Sequence, residues 1–381
     1  MAEPKAAKTV YTVRRGAGQI PYFPRELAGL ALGTAGLGQA WNLGVDSGLV
    51  GSGRRGAQDC AYALCVLSAC LLAAIAAESL LRGRCGPVGV LAHLRGDPSC
   101  SAALAVAVMA LMIDFGAFAL HDGWGADGLG LWGGLWIVAW FAHAVLLACF
   151  CGAALRASRA NGAGCGARVW AVVQQMTHTW VIPPVGFAVA TLSGATFTYT
   201  DTSGAHFVQF LRGAAMWEAL VSLLLLIPFL WVKALCMWPA PSMRSAELPP
   251  GQLATTAVLI APHALVLAAM YSFFTGGQAW VRDMGSFLFT LSLAALGVLA
   301  LYAPRIWRET WQPAWAGLTF PFDILCQGGL VWRAAHVPRD DAGADAWCWV
   351  LLLLATAVCG AVWFGALRRV WRLTCGRVGA R

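Results

Sequence analysis

Long apolar runs recur along the whole of this 381-residue chain, and they limit its fold more than any motif does. A helix needs roughly 17 to 25 mostly apolar residues to cross the hydrocarbon core of a bilayer. Windows of that kind, bounded by charge and turn residues, lie near residues 22–43, 58–80, 99–120, 129–153, 178–198, 207–236, 252–274, 283–303, 313–334 and 346–367. Only 12% of the residues are charged against 59% hydrophobic, whereas an ordinary soluble domain is about one-quarter charged. So few charges cannot build a normal water-facing surface. The chain therefore reads as an all-α polytopic membrane protein with ten transmembrane helices.

Residues 1–21 form an N-terminal segment, 22–370 the membrane domain and 371–381 a short basic tail. No connecting loop is long enough for a separate soluble domain. The first window is not read as a cleaved signal peptide, because it is too long, carries Arg25 and Glu26 near its start, and leads into further apolar windows.

The basic residues test the count. The N-terminal segment with Arg25, the loops after spans two, four, six and eight, and the tail hold twenty of the 26 lysines and arginines. The opposite side receives Arg54, Arg55, Arg212, Arg282, Arg333 and Arg339. By the positive-inside rule, this split places both termini in the cytoplasm of a multi-pass protein of the cell's inner, or plasma, membrane. It also accounts for the net charge of +8 without nucleic acid, since the excess lies where anionic lipid headgroups wait.

The 13 cysteines are scattered, many within apolar segments, among them Cys60, Cys65, Cys70, Cys149, Cys151, Cys236, Cys326 and Cys359. No CxxC pair has a partner, so they read as small buried hydrophobes, and neither metal nor cofactor is expected.

Helix-breaking residues favour the odd spans. Span one carries Gly29, Gly33, Gly36 and Gly38; span five carries Pro183, Pro184, Gly186 and Gly194; span seven has Pro262 and span nine Pro321. Spans two, four, eight and ten contain no internal proline, although span six has Pro228. Proline removes a backbone hydrogen bond, and the freed carbonyls are tolerated in a membrane only where protein or a water-filled cavity covers them. One reading is five hairpins whose odd members face inward around a central pathway. The other is that small residues and proline are simply common in membrane helices and pack helix on helix.

Ionisable groups at depth are costly enough to be functional candidates: Asp114, His143, His178, Glu218, His263 and Asp323. Glu218 follows Arg212 and is expected to pair with a neighbour; His178 sits at a helix start, and His143 is mid-span on an even helix.

Four stretches carry a family resemblance: FPRELAGLALGTAGLGQAW (23–41), HTWVIPPVGFAVATLSG (178–194), LIAPHALVLAAMYSFF (259–274) and WAGLTFPFDILCQGG (315–329). They resemble the first, fifth, seventh and ninth helices of the tellurite-resistance/dicarboxylate transporter family, which includes the slow anion channels of plant guard cells, their bacterial homologues and fungal malic-acid transporters. The resemblance implies five helical hairpins in quasi-five-fold arrangement, a pore lined by the odd-numbered helices, and a homotrimer with one pore per subunit. It also implies a pore gate at Phe320, immediately before Pro321. Two features depart from that pattern. Asp323 matches no residue for which the family is known, and no lysine or arginine lies mid-span on an odd helix. A carboxylate facing an anion pore would repel its cargo, so Asp323 either turns away into the helix packing or is neutral by protonation.

Three functions follow as expectations. The first is a gated channel passing small inorganic or organic anions such as chloride or nitrate, closed by a phenyl ring that offers an ion nothing in place of its hydration shell. The second is a proton-coupled carrier of malate or related C4-dicarboxylates, or a tellurite-related transporter, with Asp323, Asp114 or His263 in the path. The third is a haem- or quinone-bearing anchor, for which His143 and His263 are the remaining histidine pair. The first is preferred, with no enzymatic role.

Overall fold

The computed structural model describes residues 27–50, 54–81, 98–121, 130–160, 178–198, 203–236, 253–274, 278–308, 311–338 and 340–375. Regular structure in them is helical, with no strand among the described residues. The elements are α1 (Ala28–Asp46), α2 (Arg54–Leu81), α3 (Pro98–His121), α4 (Gly130–Ala160), a broken α5 made of Ile182–Val185 and Phe187–Ser193, α6 (Ser203–Cys236), α7 (Ala261–Phe273), α8 (Ala279–Arg308), α9 (Thr319–His336) and α10 (Ala342–Cys375). Short 3-10 turns, His178–Val181, Leu253–Leu259 and Pro313–Leu318, lead into α5, α7 and α9. The N-terminal segment 1–21 lies outside the described residues. The basic tail begins as helix, since α10 runs to Cys375, and its residues 376–381 lie outside them too.

Seven stretches are long and apolar enough to cross a bilayer, or eight if the bent pair Thr179–Val185 and Phe187–Phe197 counts as one span. This is fewer than the ten windows read from the sequence. Glycines with Gln39 and Asn42 dilute the apolar content of α1; Asp323, Gln327 and Arg333 dilute that of α9. Both elements tolerate this dilution because other helices enclose them, with burial running from Ala28 to Val45 in α1 and from Thr319 to Leu330 in α9.

Burial separates the two sets of elements. The apolar windows of α2, α4, α6, α8 and α10 are 28 to 33% buried, whereas Leu253–Phe273, which contains α7, is 89% buried. Packing explains the difference. α1 touches α3, α3 touches α5, α5 touches α7, α7 touches α9, and α9 returns to α1, so the odd elements form a closed circuit. Each even element packs on the odd element before it.

Individual contacts fix directions. Gly29, Gly33 and Gly36 of α1 meet Ala316, Thr319 and Phe320 in ascending order, so α1 and α9 run parallel. Thr34 and Trp41 meet Trp363 and Trp349 of α10 in descending order. Met109 and Gly116 of α3 meet Gly186 and Ser193 of α5, and Ala264 and Tyr271 of α7 meet Gly328 and His336 of α9, again in parallel.

The α1 glycines lie on one helical face because residues three and four apart are neighbours. Their missing side chains let α9 approach. A Cβ at Gly29 would come within 3.1 Å of the Ala316 carbonyl oxygen, and one at Gly33 would collide with the Thr319 side chain.

The expected proline kinks take a different form. Pro183 and Pro184 open the first piece of α5, Pro262 is the second residue of α7 and Pro321 the third of α9. First-turn N–H groups have no intrahelical partner, so proline is tolerated there. The chain changes from 3-10 to α at these positions, and in α5 the two halves are bent by 47°. α8 also runs further than its apolar window, through Pro304 to Arg308, so the absence of proline expected for that span does not hold.

Candidate functional site

All five odd elements converge on one cavity of about 60 Å³. α1 contributes Gly29 and Leu32, and α3 contributes Val106 and Met109. The α5 region supplies Val181, Ile182, Val185 and Gly186, and the α7 region supplies Val258, Ala261, Pro262 and Leu265. Ala316, Gly317, Phe320 and Pro321 complete the wall from the side of α9. None of these side chains carries a charge. The cavity sits where α5, α7 and α9 change from 3-10 to α, so the irregular backbone of three strands of chain meets at one level.

Side chains hold those junctions. His143 of α4 is fully buried, and its Nε2 donates to the Pro183 carbonyl at 2.9 Å. Its ring also stands edge-on to Phe187, with centroids 4.8 Å apart, while Nδ1 is buried without a hydrogen bond. His263 works within its own element: Nδ1 donates to the Leu259 carbonyl at 3.0 Å, next to Pro262, which has no N–H to give. Thr319 Oγ1 lies 2.8 Å from the Ala316 carbonyl and 3.0 Å from that of Gly29, tying the start of α9 to α1. His143 and His263 thus each bond a backbone carbonyl at a different place in the fold, and the other ring nitrogen of each is buried without a hydrogen bond. Among the described residues no group of three or more histidines, cysteines and acids is placed to hold a metal.

Phe320 is 7% exposed, with its ring against Gly36 on one side and the cavity on the other. Phe322, two residues on, is half-buried and not among the lining residues. Gly33 and Gly36 belong to the α1–α9 seam, while Gly29, Gly186, Pro262 and Pro321 reach the cavity wall. Pro183 and Pro184 are buried and not among its lining residues.

The carboxylates stand away from the wall. Asp323 is fully buried beside Gly36, and neither of its oxygens has a hydrogen-bond partner. Asp114 accepts from Ser68 Oγ at 3.0 Å between α2 and α3. Glu218 accepts from Ser222 Oγ at 2.8 Å, one turn along α6. The side chain of His178 lies outside the described residues.

Arg212 does not bond Glu218. Its Nε donates to the Thr191 carbonyl at 2.8 Å, Nη1 to Gln209 Oε1 at 2.7 Å, and Nη2 to the Ser272 carbonyl at 3.0 Å and to Ser272 Oγ at 3.1 Å. Six residues on a helix of 3.6 per turn lie about 240° apart, so Arg212 and Glu218 face different sides of α6. Arg212 instead joins the C-terminal ends of α5 and α7, a role that required knowing which helices are neighbours.

Parallel, enclosed odd helices, more exposed apolar even ones and a shared uncharged cavity define a polytopic helical membrane protein with an internal cavity. Residues 22–367 match the SLAC1 family, described as voltage-dependent anion channel, and the chain belongs to that family. It is therefore an anion channel or transporter in the broad sense. No curated protein matches it.

Proposed function

We propose that the protein is a gated channel through which small anions pass passively, with Phe320 as the occluding side chain. The observation that carries this reading is the cavity walled by all five odd elements, on which Phe320 borders and from which every titratable side chain is absent. A cavity wall without an ionisable group suits passive conduction and gives a proton nothing to couple to there. For that reason the C4-dicarboxylate and tellurite readings are not preferred.

In this reading ten segments cross the membrane as five hairpins, with the odd elements around the pore and the even elements towards lipid. Both termini lie in the cytoplasm, and three subunits assemble with one pore each. A phenyl ring closes such a path by desolvation, as hydrophobic constrictions do.

Anion-substitution electrophysiology on purified protein in planar bilayers tests the proposal. A channel gives a reversal potential that follows the chloride or nitrate gradient without a pH gradient. Uptake that requires a proton gradient, with no conductance, would refute it.

A further inference from the structure

The odd elements run parallel, so in the channel reading their C-terminal ends share one mouth of the pathway. Unpaired carbonyls at a helix C-terminus carry about half a negative charge, which an anion passing that mouth would meet. Two of these ends carry basic residues of their own: His121 lies in the last turn of α3, and Arg333 and His336 lie in the last turn of α9. α1, which ends in Asp46, has none, and neither do α5 and α7. Arg212 reaches them from α6. Its guanidinium bonds the Thr191 carbonyl of α5 and the Ser272 carbonyl of α7 together, and its stem lies over Gly194, where a Cβ would come within 2.9 Å of Arg212 Cγ. The side chain is 4% exposed, yet Ser272 beside it is exposed. The charge is thus held rigidly at the place where the protein interior meets solvent.

We infer that Arg212 is a selectivity-determining residue of the C-terminal mouth: its guanidinium, seated on the last carbonyls of α5 and α7, offsets their dipole ends and eases anion passage there. This rests on the reading of the protein as an anion pathway. Arg212 acts through the field and through the two helix ends it positions, without needing contact with the ion.

Charge and clamping are separable. Lysine keeps the charge but lacks the planar fork that bonds both ends, whereas methionine loses both. Ser272→Asp does the converse: it puts a carboxylate where Ser272 Oγ now lies 3.1 Å from Arg212 Nη2, offsetting the guanidinium charge while leaving the arginine in place.

The test compares current–voltage curves and reversal potentials in a KCl gradient for Arg212→Met, Arg212→Lys and Ser272→Asp, each in the parent and in a Phe320→Ala background. At low ionic strength, Arg212→Met and Ser272→Asp should cut anion current entering from the C-terminal mouth about two- to five-fold, the scale of a charge at a helix end. The loss should fade near 1 M salt, where the screening length falls to about 3 Å. Arg212→Lys should keep most of the current. Should Arg212→Met fail to fold, Ser272→Asp alone decides. Anion current indifferent to Ser272→Asp, or lost equally in Arg212→Lys and Arg212→Met, overturns the inference and leaves the channel reading standing. No anion current in either parent or Phe320→Ala overturns both.

Discussion

The ring of Phe320 rests on Gly36: a Cβ added there would come within 3.2 Å of Phe320 Cδ2 and 3.4 Å of Asp323 Cβ. α1 thus supplies the floor beneath the proposed gate, and Phe320 also borders the cavity. Gly36→Ala should therefore move the ring a few tenths of an ångström without unfolding the protein, and basal anion flux into vesicles should rise. Gly33→Ala is the contrasting variant. Its Cβ would overlap Thr319 and approach the Phe320 backbone nitrogen, so overpacking should cost about 1–3 kcal/mol and lower the melting temperature in detergent.

His143 is predicted to brace the broken α5 without taking part in conduction. Removing it in His143→Ala leaves the buried Pro183 carbonyl without its donor, at about 1–3 kcal/mol. His143→Gln should recover part of the lost melting temperature. Anion selectivity, read from reversal potentials, should be the same in both variants as in the parent.

Asp323 is predicted not to couple protons. It lies off the cavity wall, behind Phe320 against α1, so Asp323→Asn should leave anion current and its pH dependence nearly unchanged. The same holds for Asp114→Asn, since an amide oxygen can still accept from Ser68. Loss of pH-driven malate uptake in a folded Asp323→Asn protein would favour the coupled carrier instead.

What the sequence disclosed follows from what each residue must satisfy locally. Glycines 29, 33 and 36 and prolines 183, 184, 262 and 321 mark the odd elements because close approach and missing N–H groups are written in residue type. The apolar windows of α2, α4, α6, α8 and α10 are legible for the same reason, since their exposed faces admit little else. Other features depend on neighbours distant in the chain. Helices α1 and α9 look weak by hydropathy because protein surrounds them, and only the packing supplies that fact. The 3-10 turns before Ile182, Ala261 and Thr319 carry no distinct composition. Nothing local could disclose that His143 serves a carbonyl 40 residues on, or that Arg212 serves Ser272 60 residues on.

Phe320 is proposed to close the pathway. Phe320 and Phe322 sit two residues apart on α9, one on the cavity wall and one away from it, so the paired substitutions provide their own control. If Phe320 served packing alone, Phe320→Ala would cost about 3–5 kcal/mol and leave conductance low. The most direct measurement is the anion current of Phe320→Ala and Phe322→Ala against the parent, at equal amounts of folded protein in planar bilayers. A constitutive anion conductance is expected in Phe320→Ala and none above the parent in Phe322→Ala. A folded Phe320→Ala protein that conducts no more than the parent would contradict it.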